Sequence, residues 1–347
     1  MAQALAIKYR PKTFEDVTEQ DSVKVILTQQ LKSNTIQHCY LFVGGAGTGK
    51  TTSARIFANE INKGEGNPIE LDAASNNSVD DMRSLIEQAQ TKSLNSEYKV
   101  FIIDECHMIT VAGWNAILKL IEEPPAKSIF IFCTTDPQKI PKTILSRVQR
   151  YDFRRISQKG IVNRLDWIIA QEIKEGNLPT GDHQDLEAVE YIAKLADGGM
   201  RDAITLMDKC LAYSIELTLE NVIKALGTVD FELMFKLTDT FDEWKNGQKK
   251  MIEIIEGIHN EGKDLKQFIK QYTHFLLDIQ KYGIGCEWAY INIPKLDNYV
   301  EWLENCTDDG FDKCNDILEC CMKLNTDIKY SSNPKLDIET AFILLNR

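Results

Sequence analysis

The sequence predicts an α/β nucleotide-binding domain, with a parallel sheet between helices, followed by helices alone to the end of the chain. Three observations point there. Over residues 1–155 apolar, strand-like runs alternate with helix-period segments. A glycine-rich loop, Gly44-Gly45-Ala46-Gly47-Thr48-Gly49-Lys50-Thr51, directly follows the run Tyr40–Val43. From Ser157 onward the strand signals stop.

The strand-like runs are Tyr40–Val43, Ile69–Leu71, Val100–Ile103 and Ile129–Cys133. Short continuous apolar runs of this kind suit a parallel sheet covered on both faces. Helical patterns lie between them at 21–33, 51–62, 79–92 and 113–122. Pro124-Pro125 stops one helix, and Pro137 and Pro141 mark a loop. Helix-length segments follow at 157–175, 184–196, 200–213 and 218–226, with Gly198-Gly199 separating the second from the third. Residues 230–347 read as helices, with breaks expected near Gly247, Gly262, Gly283–Gly285, Pro294 and Ser331–Pro334.

A chain of 347 residues exceeds one ordinary core. Hydrophobic content of 43% and charge of 27% are those of a soluble globular protein. No apolar stretch reaches the roughly 18 residues of a membrane helix, and no secretory signal opens the chain, so a cytoplasmic protein without membrane contact is expected. Nine cysteines, mostly in apolar runs, suit reduced thiols. Cys306, Cys314, Cys320 and Cys321 contain no C-x-x-C pair, which favours packing over zinc. The net charge of −12 is uneven. Residues 1–155 carry 19 basic against 18 acidic side chains, and residues 156–347 carry 21 against 34. Any nucleic-acid contact therefore belongs to the first part, and the acidic second part suits protein contacts.

The loop at 44–51 matches the phosphate-cradling pattern in its required context, strand before and helix after. Glycines let successive backbone N–H groups face a phosphate, and the helix N-terminus adds partial positive charge. Lys50 is placed to reach the β/γ-phosphates, and the Thr51 hydroxyl to ligate Mg²⁺. Val100–Ile103 delivers Asp104 and Glu105 to the same sheet edge. Asp104 is the expected second Mg²⁺ ligand, and Glu105 the group that polarises water. The strand ending Cys133-Thr134-Thr135-Asp136 offers Thr135, with Thr134 as the alternative, as a γ-phosphate sensor. The apolar stretch Met108–Trp114 is either a contact surface or core.

Several further motifs appear in order: Lys8-Tyr9-Arg10-Pro11, Phe14-Glu15-Asp16-Val17, Ile103-Asp104-Glu105-Cys106-His107-Met108, Leu118-Lys119-Leu120-Ile121-Glu122-Glu123-Pro124-Pro125, Thr134-Thr135-Asp136-Pro137, Ser146-Arg147 and Gly198-Gly199-Met200-Arg201-Asp202-Ala203. With the phosphate loop, this set resembles the clamp-loader branch of the AAA+ ATPases, and within it the bacterial gamma/tau group. The resemblance implies an AAA+ ATP-binding domain at 1–155, a helical lid at 156–228 and an all-α collar at 229–347, whose start resembles Leu226-Gly227-Thr228-Val229-Asp230. It implies ATP and Mg²⁺, with Gly44 to Thr52 holding the phosphates, Tyr9, Arg10, Pro11 and Val17 packing on the adenine, and Arg201 as the lid arginine. Arg147 becomes an arginine finger for a neighbouring subunit's site. Arg83 and Lys119 match positions facing a DNA backbone, where a solvated charge is the competing reading. The implied partners are sister subunits in a pentamer, a sliding clamp and primer–template DNA.

Three departures stand out. The family's zinc-binding cysteine module is replaced by the polar connection Asn62–Asn67, so no zinc is expected there. The cysteine after the finger is Val148. The chain also ends soon after the expected collar, without the family's long tail, which suits a phage-encoded or otherwise compact version, in a host cytoplasm if phage-encoded. Two other classes share these motifs: a hexameric AAA+ DNA motor such as a branch-migration helicase, and a structural, non-hydrolysing subunit of the same loader. The helical collar argues against the first, and intact Lys50, Thr51, Asp104 and Glu105 against the second.

Overall fold

The sheet has five strands among the described residues: β1 (Cys39–Val43), β2 (Ile69–Asp72), β3 (Lys99–Asp104), β4 (Ser128–Thr134) and β5 (Gln149–Asp152). All neighbours pair in parallel, in the order β2-β3-β4-β1-β5. The computed structural model describes residues 3–93, 95–179, 185–226, 231–241, 244–309 and 311–345. It divides into two compact units, Met1–Thr218 and Leu219–Arg347.

The helices of the first unit are α1 (Leu5–Lys8), α2 (Asp21–Ser33), α3 (Lys50–Ile61), α4 (Val79–Gln90), α5 (Val111–Glu122), α6 (Lys142–Leu145), α7 (Gln158–Lys174), α8 (Leu186–Leu195) and α9 (Met200–Tyr213). The central strands are apolar throughout because both faces are covered. Leu41, Val43, Phe101, Ile103, Phe130 and Phe132 pack with Met82 and Leu85 of α4 and Trp114 and Ile117 of α5. Their neighbours in the chain, Tyr40, Phe42, Val100, Ile102, Ile129 and Ile131, point the other way, toward Leu27 of α2 and Phe57 of α3. The alternation is the two-residue period of a pleated strand. Phe101 and Phe130 are register partners and stack with ring centroids 5.1 Å apart.

β5 was not expected from sequence. In Gln149-Arg150-Tyr151-Asp152 only Tyr151 is buried. An edge strand with one apolar residue carries almost no periodic signal. Its place is fixed by pairing with β1 and by Gln30, whose amide donates to the Tyr151 hydroxyl at 3.2 Å.

The second unit holds α10 (Leu219–Leu226), α11 (Phe231–Asp239), α12 (Trp244–Asn260), α13 (Leu265–Gly283), α14 (Asp297–Asp309), α15 (Phe311–Asp327) and α16 (Pro334–Leu345). Phe235 packs against Phe275, Tyr299 and Trp302, at centroid distances of 5.1, 4.8 and 4.5 Å. The buried Asp278 accepts from Lys281 Nζ and the Asn292 amide, both at 2.7 Å. The break expected near Gly247 falls just before it, between the end of α11 at Asp239 and the start of α12 at Trp244, and Gly247 itself is buried in the first turn of α12. The first N–H groups of a helix have no intrahelical partner, and a residue without a side chain fits a buried start. Gly262 and Gly285 do follow helix ends, at φ +73° and +76°, which is the glycine role that terminates helices. The expected lid–collar boundary at 228/229 lies outside the described residues. Among the described residues no helix is long and apolar enough to cross a membrane.

Two substitutions separate core from cap. Phe132→Ala should cost about 3–5 kcal/mol, as large-to-small changes in a full core do. Ser78 caps α4 by accepting from the Asp81 amide while Asp81 reaches back to the Ser78 amide, so Ser78→Ala should cost about 1 kcal/mol. Urea midpoints at constant slope would check both.

Candidate nucleotide-binding site

Parallel register brings the strand ends together. Val43 pairs with Thr134, and Ile103 with Phe132, so the residues after β1, β3 and β4 leave the sheet along one edge. The loop after β1 turns through Gly47 at φ +68° and Gly49 at φ +98°, and Gly49 opens α3. At Gly44 a Cβ would sit 2.5 Å from the Phe153 carbonyl oxygen, so this position also admits only glycine. Lys50 is buried and donates to the carbonyls of Gly44 and Gly45 at 2.8 and 2.7 Å. Burial pushes its pKa down, against the opposing pull of the Glu105, Cys133 and Asp104 side chains. The Thr51 hydroxyl donates to Asp104 Oδ2 at 2.7 Å. Thr48 is buried and its hydroxyl bonds back to the Gly45 carbonyl, which stiffens the loop.

A cleft of about 290 Å³ opens beside this loop. It is lined by Ala46 to Thr52 from the loop, Asp104 and Glu105 from the end of β3, Tyr9, Arg10, Pro11 and Val17 from the N-terminal segment, and Met200 and Arg201 from α9. Most of the residues expected from sequence therefore meet around one space. Thr135 does not line it but donates to Glu105 Oε2 at 3.1 Å. Thr134, the alternative sensor, is fully buried and accepts from the Asp136 amide. Gly44 and Gly45 support the loop from below.

The remaining residues lie elsewhere. Arg147 is outside the lining; its Nε pairs with Glu122 at 2.9 Å and it donates to the Thr143 carbonyl. Arg83 and Lys119 are exposed on α4 and α5, which pack together, and Arg83 pairs with Asp80 at 3.0 Å. The stretch Met108–Trp114 is divided: Met108 and Val111 are exposed, while Ile109, Gly113 and Trp114 are core.

The N-terminal wall is tied to α7. The Tyr9 hydroxyl and Lys8 both donate to the buried Glu172 at 2.5 Å. Burial would raise the Glu172 pKa, but the bonds from Lys8, Tyr9 and Asn177 outweigh it and hold the carboxyl below the usual range. Arg164 of α7 donates to the Tyr9 carbonyl at 3.0 Å, lies over the Trp167 ring and lines the cleft. Sequence reading missed Arg164, Gln20 and Glu19, which stand in no motif. Gln20 bonds the backbone of Arg154 in both directions, and Glu19 accepts from the Ser157 amide that starts α7. Both hold left-handed backbone, at φ +54° for Glu19 and +57° for Gln20, a strain that could be found only in coordinates.

Comparison with known proteins agrees with this geometry. A family profile described as "DNA polymerase III, delta subunit" matches residues 67–157. The tau subunit of DNA polymerase III from Bacillus subtilis is 34% identical over 368 residues, covering 98% of this chain and 62% of that protein. The tau/gamma subunit from Haemophilus influenzae is 38% identical over 250 residues, 66% of this chain and 35% of that protein. The gamma subunit from Buchnera aphidicola is 28% identical, with 98% of each chain covered. By this similarity the chain is gamma/tau-like along nearly its whole length. It spans 62% and 35% of the length of the first two relatives. The RuvB Holliday junction branch migration motor of Thermotoga maritima shares the fold, with a TM-score of 0.51 at 21% identity over 69% of this chain and 79% of that one. The first unit is an AAA+ α/β domain, and a helical region follows it.

Within this gamma/tau-like frame, two departures have local explanations. The short connection after α3 closes on Asn62, whose side chain pairs with both the amide and the carbonyl of Tyr98 at 2.9 Å. Val148 packs partly buried against the sheet core, a place that asks for an apolar side chain.

Gly47 and the start of α9 touch directly. The Met200 amide donates to the Gly47 carbonyl at 3.0 Å, and a Cβ on Gly47 would lie 3.0 Å from Gly199 Cα. Gly47→Ala should therefore destabilise the first unit by about 1–3 kcal/mol, from left-handed backbone and crowding together. Thermal unfolding should show the loss, and Gly64→Ala, at φ +84° with nothing near its Cβ, should show only the backbone part.

Proposed function

We propose that the chain is the ATPase subunit of a DNA sliding-clamp loader, which uses ATP binding and hydrolysis to open a ring clamp and place it on primer–template DNA. The observation that supports this reading is that Lys50, Thr51, Asp104 and Glu105 share one cleft, whereas Arg147 stands outside it, paired with Glu122, an ion pair it would exchange for a neighbour's phosphate.

The cleft suits a nucleoside triphosphate with Mg²⁺. Thr51 and Asp104 bring a hydroxyl and a carboxylate oxygen within 2.7 Å of each other. Two hard oxygen donors suit a cation that keeps several waters and takes its remaining ligands from phosphates. When bound there, Mg²⁺ neutralises charge on the phosphates. Lys50 would exchange its two loop carbonyls for phosphate oxygens. Glu105 would accept a proton from the attacking water, and Thr135 would sense the γ-phosphate. Tyr9, Arg10, Pro11 and Val17 form the base end, and Arg201 closes over the phosphates from the lid. Arg147 presents a planar fork to the γ-phosphate of an adjacent subunit.

We divide the chain into an ATP-binding domain at 1–155, a lid at 156–228 and a collar at 229–347 that assembles subunits, five in the complete loader. Arg83 on α4 and Lys119 on α5 would follow the phosphate track of the duplex, reading spacing and not bases. The sliding clamp and sister subunits complete the assembly.

Glu105→Gln should leave ATP binding nearly intact and slow hydrolysis on the order of a hundredfold or more, the cost of losing a general base. Lys50→Ala should instead weaken binding. Equilibrium binding of a fluorescent ATP analogue and a steady-state phosphate-release assay separate the two; wild-type hydrolysis by Glu105→Gln would remove the water-activating role.

The trans arrangement has its own test. Arg147→Ala should bind ATP as an isolated chain yet lose roughly 10³-fold or more of assembled turnover. Mixing Arg147→Ala with Lys50→Ala should restore part of the rate wherever two copies adjoin. Native mass measurement with clamp and sister subunits should give five ATPase-type subunits; six would favour the hexameric motor.

A further inference from the structure

The group proposed to activate water is poorly fixed by its own backbone. Glu105 sits at φ +46° in the turn after β3, and its side chain is 38% exposed. A carboxylate so placed has several rotamers open to it, and only one points at a given water. Two side chains converge on one of its oxygens. Thr135 donates to Oε2 at 3.1 Å, and His107 Nδ1 lies 3.3 Å from the same atom. No other hydrogen bond reaches the Glu105 carboxylate among the described residues, so Oε1 is left open.

His107 is itself held. Its ring is 12% exposed, and Nδ1 lies 3.1 Å from Thr134 Oγ1, a fully buried atom at the end of β4. The imidazole stands on a one-turn 3₁₀ segment, Cys106–Met108, whose Cys106 is buried in the core. The tautomer follows from the neighbours. A lone pair on Nδ1 facing a carboxylate oxygen at this distance would repel it, so Nδ1 carries the hydrogen and shares it between Thr134 and Glu105.

We propose that His107 is a positioning residue for hydrolysis: it clamps Glu105 Oε2 against the end of β4, so that Oε1 is presented to the attacking water. It touches neither nucleotide nor metal and acts through Glu105 alone. This rests on the reading of Glu105 as the water-activating group. Thr135 shares the clamp, which gives it a task besides phosphate sensing.

The test is a double-mutant cycle on the full chain, in the assembly where the wild type hydrolyses ATP. His107→Ala should lower kcat by about ten- to a hundredfold, the usual loss when an orienting partner behind a reacting group is removed. Affinity for a fluorescent ATP analogue should not change. His107→Gln, which keeps a donor, should recover part of the rate, and it carries the test if His107→Ala fails to fold. Added to Glu105→Gln, His107→Ala should cost nothing further, because the carboxylate it orients is already gone. Wild-type kcat in His107→Ala, or a full additional loss on top of Glu105→Gln, overturns the positioning role and leaves the ATPase reading standing. Wild-type kcat in Glu105→Gln overturns both.

Discussion

Register in one parallel sheet is the constraint from which the site follows. A parallel strand pair fixes direction as well as spacing, so the chain leaves β1, β3 and β4 on the same side. The phosphate loop, the two acids and the threonine pair are far apart in sequence and come together for that reason alone. The covering helices pay for it: both faces of β1, β3 and β4 must be closed by apolar side chains before backbone polar groups can be buried this deeply. The stacked Phe101 and Phe130 lie mid-strand, and the chemistry lies at the rim.

A second constraint acts where the sheet and its loops meet α7 and α9. Four residues hold left-handed backbone around this junction: Glu19 and Gln20 before α2, and Asp197 and Gly198 before α9. Three of them carry side chains, so the conformation costs energy that the surrounding contacts must offset. Gln20 ties the segment to the end of β5, Glu19 ties it to the start of α7, and a Cβ on Gly198 would meet Arg155 at 2.6 Å. The N-terminal strap of Lys8 and Tyr9 reaches α7 through Glu172. The cleft and the helices α7 and α9 are thus joined by polar contacts, whereas the sheet and its covering helices are joined by an apolar core.

Much of this could be read from the chain. The central strands announced themselves because burial on two faces makes each run apolar, and the loop because few sequences place glycines and Lys-Thr after such a run. The edge strand β5 was illegible because one buried Tyr151 is no pattern. Gly247 marked its break only to within a few residues, because the interruption precedes Trp244 and Gly247 itself lies in the first turn of α12. At the site, motif residues such as Lys50, Thr51 and Asp104 were visible by type and spacing. Arg164, Gln20 and the contact of His107 with Glu105 depend on which elements pack together, and spacing along one chain does not encode that.

The meeting of Gly47 with Gly199 has a mechanical consequence. Neither residue has a side chain to interlock, so the two backbones touch as smooth surfaces, held by one hydrogen bond from Met200. Such a contact is a hard stop against approach and a pivot for rotation. α9 starts at this pivot and runs 14 residues to Tyr213, a lever of about 21 Å at 1.5 Å per residue. A roll of about 10° at the loop then becomes a swing of about 4 Å at the far end of that lever. A small rotation at the loop is thus geometrically amplified along α9.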